Sequence, residues 1–395
     1  MELFYRINRL LMFAAMLVYV PLTLLLAAGL GWGGYRLTYW AVHVLSRIRG
    51  GIYSYGMILL LVVAVDLALG GVAMALLAGL VRLFTRFQGE RPSGLLLTGG
   101  SHKHFFELLE RVCRKLKARP PEECYLTPFS EMSVSDRIPA REEGRGRRKI
   151  RTLVIGAGLL VHIRVDEFTT ILCHEIAHTK AGDTQLCWLT TRFYHALVAA
   201  IYAQFDTDEE TVDPTSTWMN RVVATGLIAF YWLFSLMYAA DERWCELRAD
   251  RLAAEACGPQ NMRNALIKIH LAGYVPGLSI EGLVGEYSQD ESDMSNLYQE
   301  YRRRWAELSA TAVQDAENAM FLHRHSLFDS HPCLTDRIRG LRGVEAKEVA
   351  GEKPATMLFA NWEQLEASMT ETLVKRGRYL HRAYMNRLLT EGRGQ

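Results

Sequence analysis

Two histidines four residues apart, His174 and His178, with Glu175 between them, constrain this 395-residue chain more than any other feature. On a helix that spacing turns the direction by about 40° and advances it by about 6 Å, so both imidazoles reach one metal ion. Glu175 leaves the same helix, where its carboxylate can accept a proton from a water on that metal. The run His174-Glu175-Ile176-Ala177-His178 therefore reads as most of a zinc-hydrolase site, and it demands a helix. The bland alternative is an exposed helix that carries these three residues by coincidence.

The surroundings favour the metal. Val165, Phe168, Ile171 and Leu172 recur at the spacing of one helix face, and Asp166 and Glu167 occupy the expected first turn, where the helix dipole favours negative charge. The pattern predicts a helix to about Lys180, ended by Gly182. Upstream, Thr152 to Gly156 reads as a short strand. A hydrolytic zinc takes three protein ligands and keeps one position for water. Glu246 and Asp250, again four apart, offer the third: one can bind metal while the other hydrogen-bonds a ligand imidazole. Taken alone, that pair equally describes a solvated helix face.

Four segments in order now carry a resemblance. Leu153 to Leu160 (LVIGAGLL), Cys173 to Asp183 (CHEIAHTKAGD), Arg243 to Ala253 (RWCELRADRLA), and His331-Pro332 followed by Arg337-Ile338 are similar to the HtpX-like and CAAX prenyl protease-like membrane zinc metallopeptidases. The similarity spans roughly Leu95 to Leu341. It implies that His174, His178 and Glu246 hold one zinc ion, and that Glu175 is the general base. It implies further that Asp250 and Asp183 orient the ligand imidazoles. His331 is either a donor to the oxyanion of the reaction or a turn histidine held by Pro332. Two departures stand out: Glu131 to Asp136 replaces the Asn-Ala-Phe-like edge strand of relatives, and Glu242 replaces a common serine. Neither touches a ligand position.

Half of the residues are hydrophobic, and they are unevenly spread. Leu10 to Tyr35 has no charged residue and Gly50 to Val81 has only Asp66. Each run exceeds the roughly 20 apolar residues that span a bilayer. A cleaved signal peptide is disfavoured by the length of the first run, by Pro21 and by the second run close behind. Asp66 is costly in lipid and should face protein or a polar cavity, helix pairing being the expected reason. A further pair, Phe193 to Phe205 and Val222 to Ala240, is left open between a membrane hairpin and core helices. Were it membranous, Glu246 would follow Ala240 by six residues, roughly 9 Å along a helix, and the site would lie at the bilayer surface.

The expectation is an α+β, mainly helical, zincin-like metalloprotease domain with a small sheet and two to four transmembrane helices. Residues 1–90 form the membrane region, 91–345 the peptidase domain with 185–240 as the optional hairpin, and 346–395 a helical tail. The balance of Arg and Lys around the first two runs favours both ends, and with them the catalytic domain, in the cytoplasm, although Arg36, Arg47 and Arg49 oppose this; the resemblance implies a bacterial inner (cell) membrane. Seven cysteines form no CxxC pair, which suits a reducing compartment; Cys173 and Cys245 read as small buried residues beside the ligands. A net charge of +2 argues against a dedicated nucleic-acid surface, and the basic run Arg141 to Arg151 reads as a surface loop, contact with anionic lipid headgroups being the lesser reading. Ser288 to Met320 reads as a charged helical region, either a lid or a solvated helix, and Trp362 to Leu380 as an amphipathic stretch that docks on the domain or a partner. The expected partners are polypeptide substrates and the lipid bilayer; the sequence leaves the oligomeric state open. The competing readings are a silent membrane scaffold that uses zinc to hold helices, and a soluble enzyme whose apolar segments are all core.

Overall fold

The computed structural model describes residues 2–47, 52–84, 91–137, 139, 148–180, 184–202, 214–275, 278–289, 296–373 and 375. They form two compact units: the first holds Met1–Arg86, Gln185–Trp244 and Ser326–Ser330, the second Phe87–Thr184, Cys245–His325 and His331–Gln395. The class is the expected one, mainly helical with a small mixed sheet.

In the first unit the two apolar runs become α1 (Glu2–Leu45) and α2 (Ile52–Phe84). Both contain segments long and apolar enough to cross a membrane, Leu3–Leu45 and Tyr55–Met74. Their large side chains point outward: Leu17, Leu25, Leu60 and Leu67 are each 70% or more exposed, the reverse of what a water-soluble core helix shows. Asp66 has the partner its cost required. Thr38 on α1 donates to its carboxylate, and Gly34 leaves the space, since a Cβ there would sit 2.9 Å from Asp66 Oδ1. This is helix pairing. α6 (Thr184–Tyr202) and the first part of α7 (Pro214–Cys257) join the same unit. Met12, Met16 and Tyr19 of α1 form one buried cluster with Phe193, Leu197, Leu227 and Phe234. Arg9 Nε lies 2.9 Å from Asp241 Oδ1, and Asn8 Nδ2 donates to Met237 O at 2.8 Å.

The second unit is built on a four-stranded sheet ordered β1-β2-β4-β3, from Leu95–Leu96, Glu123–Thr127, Ile150–Gly156 and Met132–Arg137. β2 runs parallel to β4, which is buried along most of its length, and β3 is antiparallel to β4 on the outer edge. β4 passes into the short α4 (Ala157–Leu160) and then α5 (Val165–Lys180), the helix of the two histidines, with the predicted start and end. Residues 181–183, including the expected stop Gly182 and the candidate Asp183, lie outside the described residues. α3 (Lys103–Leu116) closes on Lys117, whose φ of 52° gives the left-handed turn that ends the helix. Its Phe105 packs with Leu153, Ile155, Phe168 and Leu172 in one core that also takes Ala253 from α7 and Leu266 from α8 (Pro259–Tyr274).

The start of α5 is fixed from several directions. Glu167, at its third position, accepts from Arg164 N at 2.8 Å, half of a capping box, and from Lys268 Nζ at 2.8 Å. The first free amides are met by a segment far along the chain: Val165 N donates to Lys353 O at 2.8 Å and Asp166 N to Gly351 O at 3.1 Å. The charged region becomes α10 (Leu297–Ala306) and α11 (Ala310–Leu322) among its described residues, preceded by α9 (Ile280–Gln289) and followed by α12 (Leu334–Gly340). The tail docks on this unit rather than standing free: Phe359 stacks on Phe105 at 5.2 Å, and Glu366, 1% exposed, is gripped by Arg302. Residues 376–395 lie outside the described part, and so does most of the basic loop, 140–147.

Gly156 joins β4 to the turn before β3. Its φ of −84° suits any residue, so the requirement there is space. A Cβ would come within 2.1 Å of Phe129 O and 2.6 Å of Glu131 N, both backbone. Gly156→Ala is expected to cost about 1–3 kcal/mol, the usual range for overpacking, seen as a lower thermal midpoint in detergent. An unchanged midpoint would mean the 128–131 turn yields freely.

Candidate metal centre

Two helices converge on one small volume. α5 supplies His174 and His178 from its buried side, and α7 supplies Glu246 and, one turn on, Asp250. The Nε2 atoms of the two histidines are 3.1 Å apart. Glu246 Oε1 is 3.4 Å from His178 Nε2, and Oε2 is 3.6 Å from His174 Nε2. Ligand bonds of about 2.0–2.1 Å at the tetrahedral angle separate donors by roughly 3.3–3.4 Å. The three side chains thus stand one tetrahedral edge apart, as a shared metal requires, and an N,N,O set suits a borderline ion better than calcium or magnesium, which want oxygen. Without a cation, the same 3.1 Å spacing would be met by an N–H···N hydrogen bond between imidazoles of different tautomer.

The imidazole of His174 is backed by a carboxylate. Its Nδ1 lies 2.9 Å from Asp250 Oδ1, close in distance but off the line of a good hydrogen bond, so this contact is chiefly electrostatic. With the proton on Nδ1 facing Asp250, the Nε2 lone pair is turned toward Glu246 and His178. Asp250 is fully buried, and Arg337 of α12 holds it with two bonds, Nε to Oδ2 at 2.8 Å and the terminal Nη2 to Oδ1 at 2.6 Å. The same Nη2 reaches Glu246 Oε2 at 3.2 Å. One guanidinium therefore bridges two buried carboxylates a helical turn apart and balances one of their two charges.

The electrostatics follow. Burial alone would raise the pKa of Glu246, but bonds from His178 and His331 and the charges of His174 and Arg337 hold it far below the usual carboxylate range. Burial also works against ionised Asp250, and Arg337 overrides it, keeping its pKa low. Glu175 goes the other way: burial raises its pKa, and the neighbouring histidines only partly oppose this. Among the described residues no hydrogen bond engages its carboxylate, so it stays available beside the donor triangle.

His331 stands at the rim. Its side chain is 73% exposed, and its Nδ1 is 3.6 Å from Glu246 Oε1. The structure thus brings together His174, Glu175, His178, Glu246, Asp250 and His331, while Asp183 falls outside the described residues. Sequence reasoning missed the part played by Arg337. A guanidinium among Arg337, Arg339 and Arg342 reads as a surface charge, and its one signal is the resemblance carried by His331-Pro332 with Arg337-Ile338. Of the two cysteines beside the ligands, Cys173 is buried against Cys257, with sulfurs 3.1 Å apart, while Cys245 is only half-buried.

Comparison with known proteins gives the family. Residues 127–345, more than half of the chain, match the model of peptidase family M48. Protease HtpX of Chromohalobacter salexigens is 27% identical over 204 residues, which are 50% of this chain and 59% of that protein. The Protease HtpX homolog of Bacillus licheniformis is 26% identical over 242 residues, 60% of this chain and 68% of the relative. The chain therefore spans about three fifths to two thirds of the length of these curated relatives. A crystal structure of S. mikatae Ste24p aligns with 84% of this chain and 67% of that one at 16% identity and a TM-score of 0.34, too loose a likeness to carry an argument. Helix α5 with its two histidines, the third donor on α7 and the His331–Arg337 segment all fall inside the matched region, and the chain belongs to peptidase family M48.

Proposed function

We propose that this protein is a membrane-embedded zinc-dependent endopeptidase that hydrolyses peptide bonds of membrane or misfolded proteins near the bilayer. The observation that carries the reading is the donor triangle of His174, His178 and Glu246 with the unengaged carboxylate of Glu175 beside it. These three residues would hold the zinc ion. When bound, the ion supplies Lewis acidity, lowering the pKa of a water toward neutrality and polarising a carbonyl.

The residues divide the remaining work. Glu175 takes a proton from the attacking water on a carboxylate oxygen and returns it to the nitrogen of the leaving amine. Its raised pKa makes the carboxylate a better proton acceptor and the acid a longer-lived donor. Asp250 keeps the proton of His174 on Nδ1, and Asp183 is assigned the equivalent duty by resemblance alone. His331, exposed and directed at the rim, is suited to donate to the oxyanion that forms as the carbonyl is attacked; its approach to Glu246 favours this over a purely structural turn. The outer strand β3 leaves one edge of the sheet unpaired among the described residues, where an extended substrate backbone can add as a further strand.

Membrane residence is supported by the outward apolar faces of α1 and α2, and the cluster of α1 with Phe193, Leu197 and Phe234 favours placing 185–240 in the same environment. We assign 1–90 to the membrane region, 91–345 to the peptidase and 346–395 to the tail, with an inner-membrane location and a cytoplasmic catalytic side. The silent scaffold remains the rival reading, and structural zinc sites usually close with four protein ligands where three converge here.

Two experiments test this. Glu175→Gln in the purified full chain should retain one zinc and its melting temperature while casein cleavage falls about 10²–10⁴-fold, the usual contribution of a positioned base. Retained zinc with undiminished cleavage would remove the assignment. Arg337→Met leaves Asp250 buried without its counter-charge and should cost about 3–5 kcal/mol in stability, with zinc affinity about 10–100-fold weaker by equilibrium dialysis. Wild-type affinity and stability in that variant would show that Arg337 is a bystander.

A further inference from the structure

A second group of donors lies outside the centre already described. A ring nitrogen of His325, Cys333 Sγ and a carboxylate oxygen of Asp336 all fall within 4.8 Å of one another. Cys333 is buried at the residue preceding α12, its side chain making no bond to the helix amides, and Asp336 lies in the first turn. Asp336 Oδ2 is 3.3 Å from Cys333 Sγ and 3.6 Å from His325 Nδ1. For a tetrahedral zinc with bonds of about 2.0 Å to oxygen or nitrogen and about 2.3 Å to sulfur, those edges come to roughly 3.5 Å and 3.3 Å. The spacings are within a few tenths of an ångström of that figure.

The ring nitrogen of His325 is the second observation. Nδ1 is sealed from solvent and has no hydrogen-bond partner, although a carboxylate oxygen of Asp336 stands 3.6 Å away. Buried polar atoms are nearly always satisfied, so this one asks for something between it and Asp336. The other oxygen of Asp336 is bonded to Arg339 at 2.7 Å, which orients the carboxylate and leaves Oδ2 toward the cluster. The side chains of His325 and Asp336 are 27% and 33% exposed, so an ion can enter from solvent and keep a water as its fourth ligand.

We propose that His325, Cys333 and Asp336 form a second metal site for a thiophilic divalent cation of the zinc type, bound as the Cys333 thiolate with release of its proton. Imidazole, thiolate and carboxylate together select such an ion over calcium or magnesium. Its effect is to clip the two ends of the 325–333 segment, which carries His331 at the rim of the first centre. The role is structural and stands whether or not the first centre is catalytic.

The sulfur makes the two sites separable. The full chain in detergent, stripped with chelator, is titrated with cobalt(II) alone while the thiolate-to-cobalt charge-transfer band in the near ultraviolet is followed. The His174, His178 and Glu246 set has no sulfur and gives no such band. The expected result is two cobalt equivalents per wild-type chain, a band that saturates with one of them, and loss of the band and one equivalent in Cys333→Ser. His325→Asn, which keeps the thiol, should weaken the band-forming site at least tenfold. Cys245→Ser, a control thiol beside Glu246, should leave the band intact. Absence of the band from the wild type, or its persistence in Cys333→Ser, would overturn the proposal and leave the cluster as ordinary hydrogen bonding. Loss of the band only in Cys245→Ser would overturn it equally by moving the thiolate to the first centre.

Discussion

The guanidinium of Arg337 is what permits the rest of the centre. Glu246 and Asp250 lie a turn apart on one helix, both buried, and like charges at that spacing repel. Taking either carboxylate out of water costs several kcal/mol of hydration. Arg337 offsets both at once, with two bonds to Asp250 and one nitrogen shared with Glu246. Asp250 can then face His174, and Glu246 can turn its oxygens to the two imidazoles. The chain of dependence runs from α12 through α7 to α5, and none of the three helices forms the centre alone.

That dependence explains what could be read along the chain and what could not. The histidine helix was legible to the residue, because a 3.6-residue apolar face, acidic first-turn residues and the motif spacing all coincide in Val165–Lys180. The strand before it was legible as an apolar run, though two residues longer at its start than expected. Glu246 and Asp250 were legible as a spaced pair, with the choice of ligand supplied only by resemblance. Arg337 was not legible as a clamp. Its meaning comes from a carboxylate 87 positions earlier, and local sequence carries no record of that contact. The same holds for His325 and Cys333, whose spacing matches no motif and which meet through a chain reversal.

Asp66 shows the opposite case, where a physical cost predicted a contact. A carboxylate in an apolar run must find a donor or a cavity, and it found Thr38 on the adjacent helix, with Gly34 making the room. The two cysteines beside the ligands divided, since helical periodicity turned Cys173 into the core and left Cys245 partly at the surface. Neighbourhood in sequence says little about which way a side chain points on a helix.

The bonds from Val165 and Asp166 to the carbonyls of residues 353 and 351 have a bearing on where this chain can be cut. Family similarity stops at residue 345, and a protein engineer would trim there. Such a fragment would leave the metal helix with bare leading amides and strip Phe359 from its aromatic stack. The smallest autonomous fold is therefore longer than the stretch that matches the family, and residues 351–359 belong to its body as a buttress.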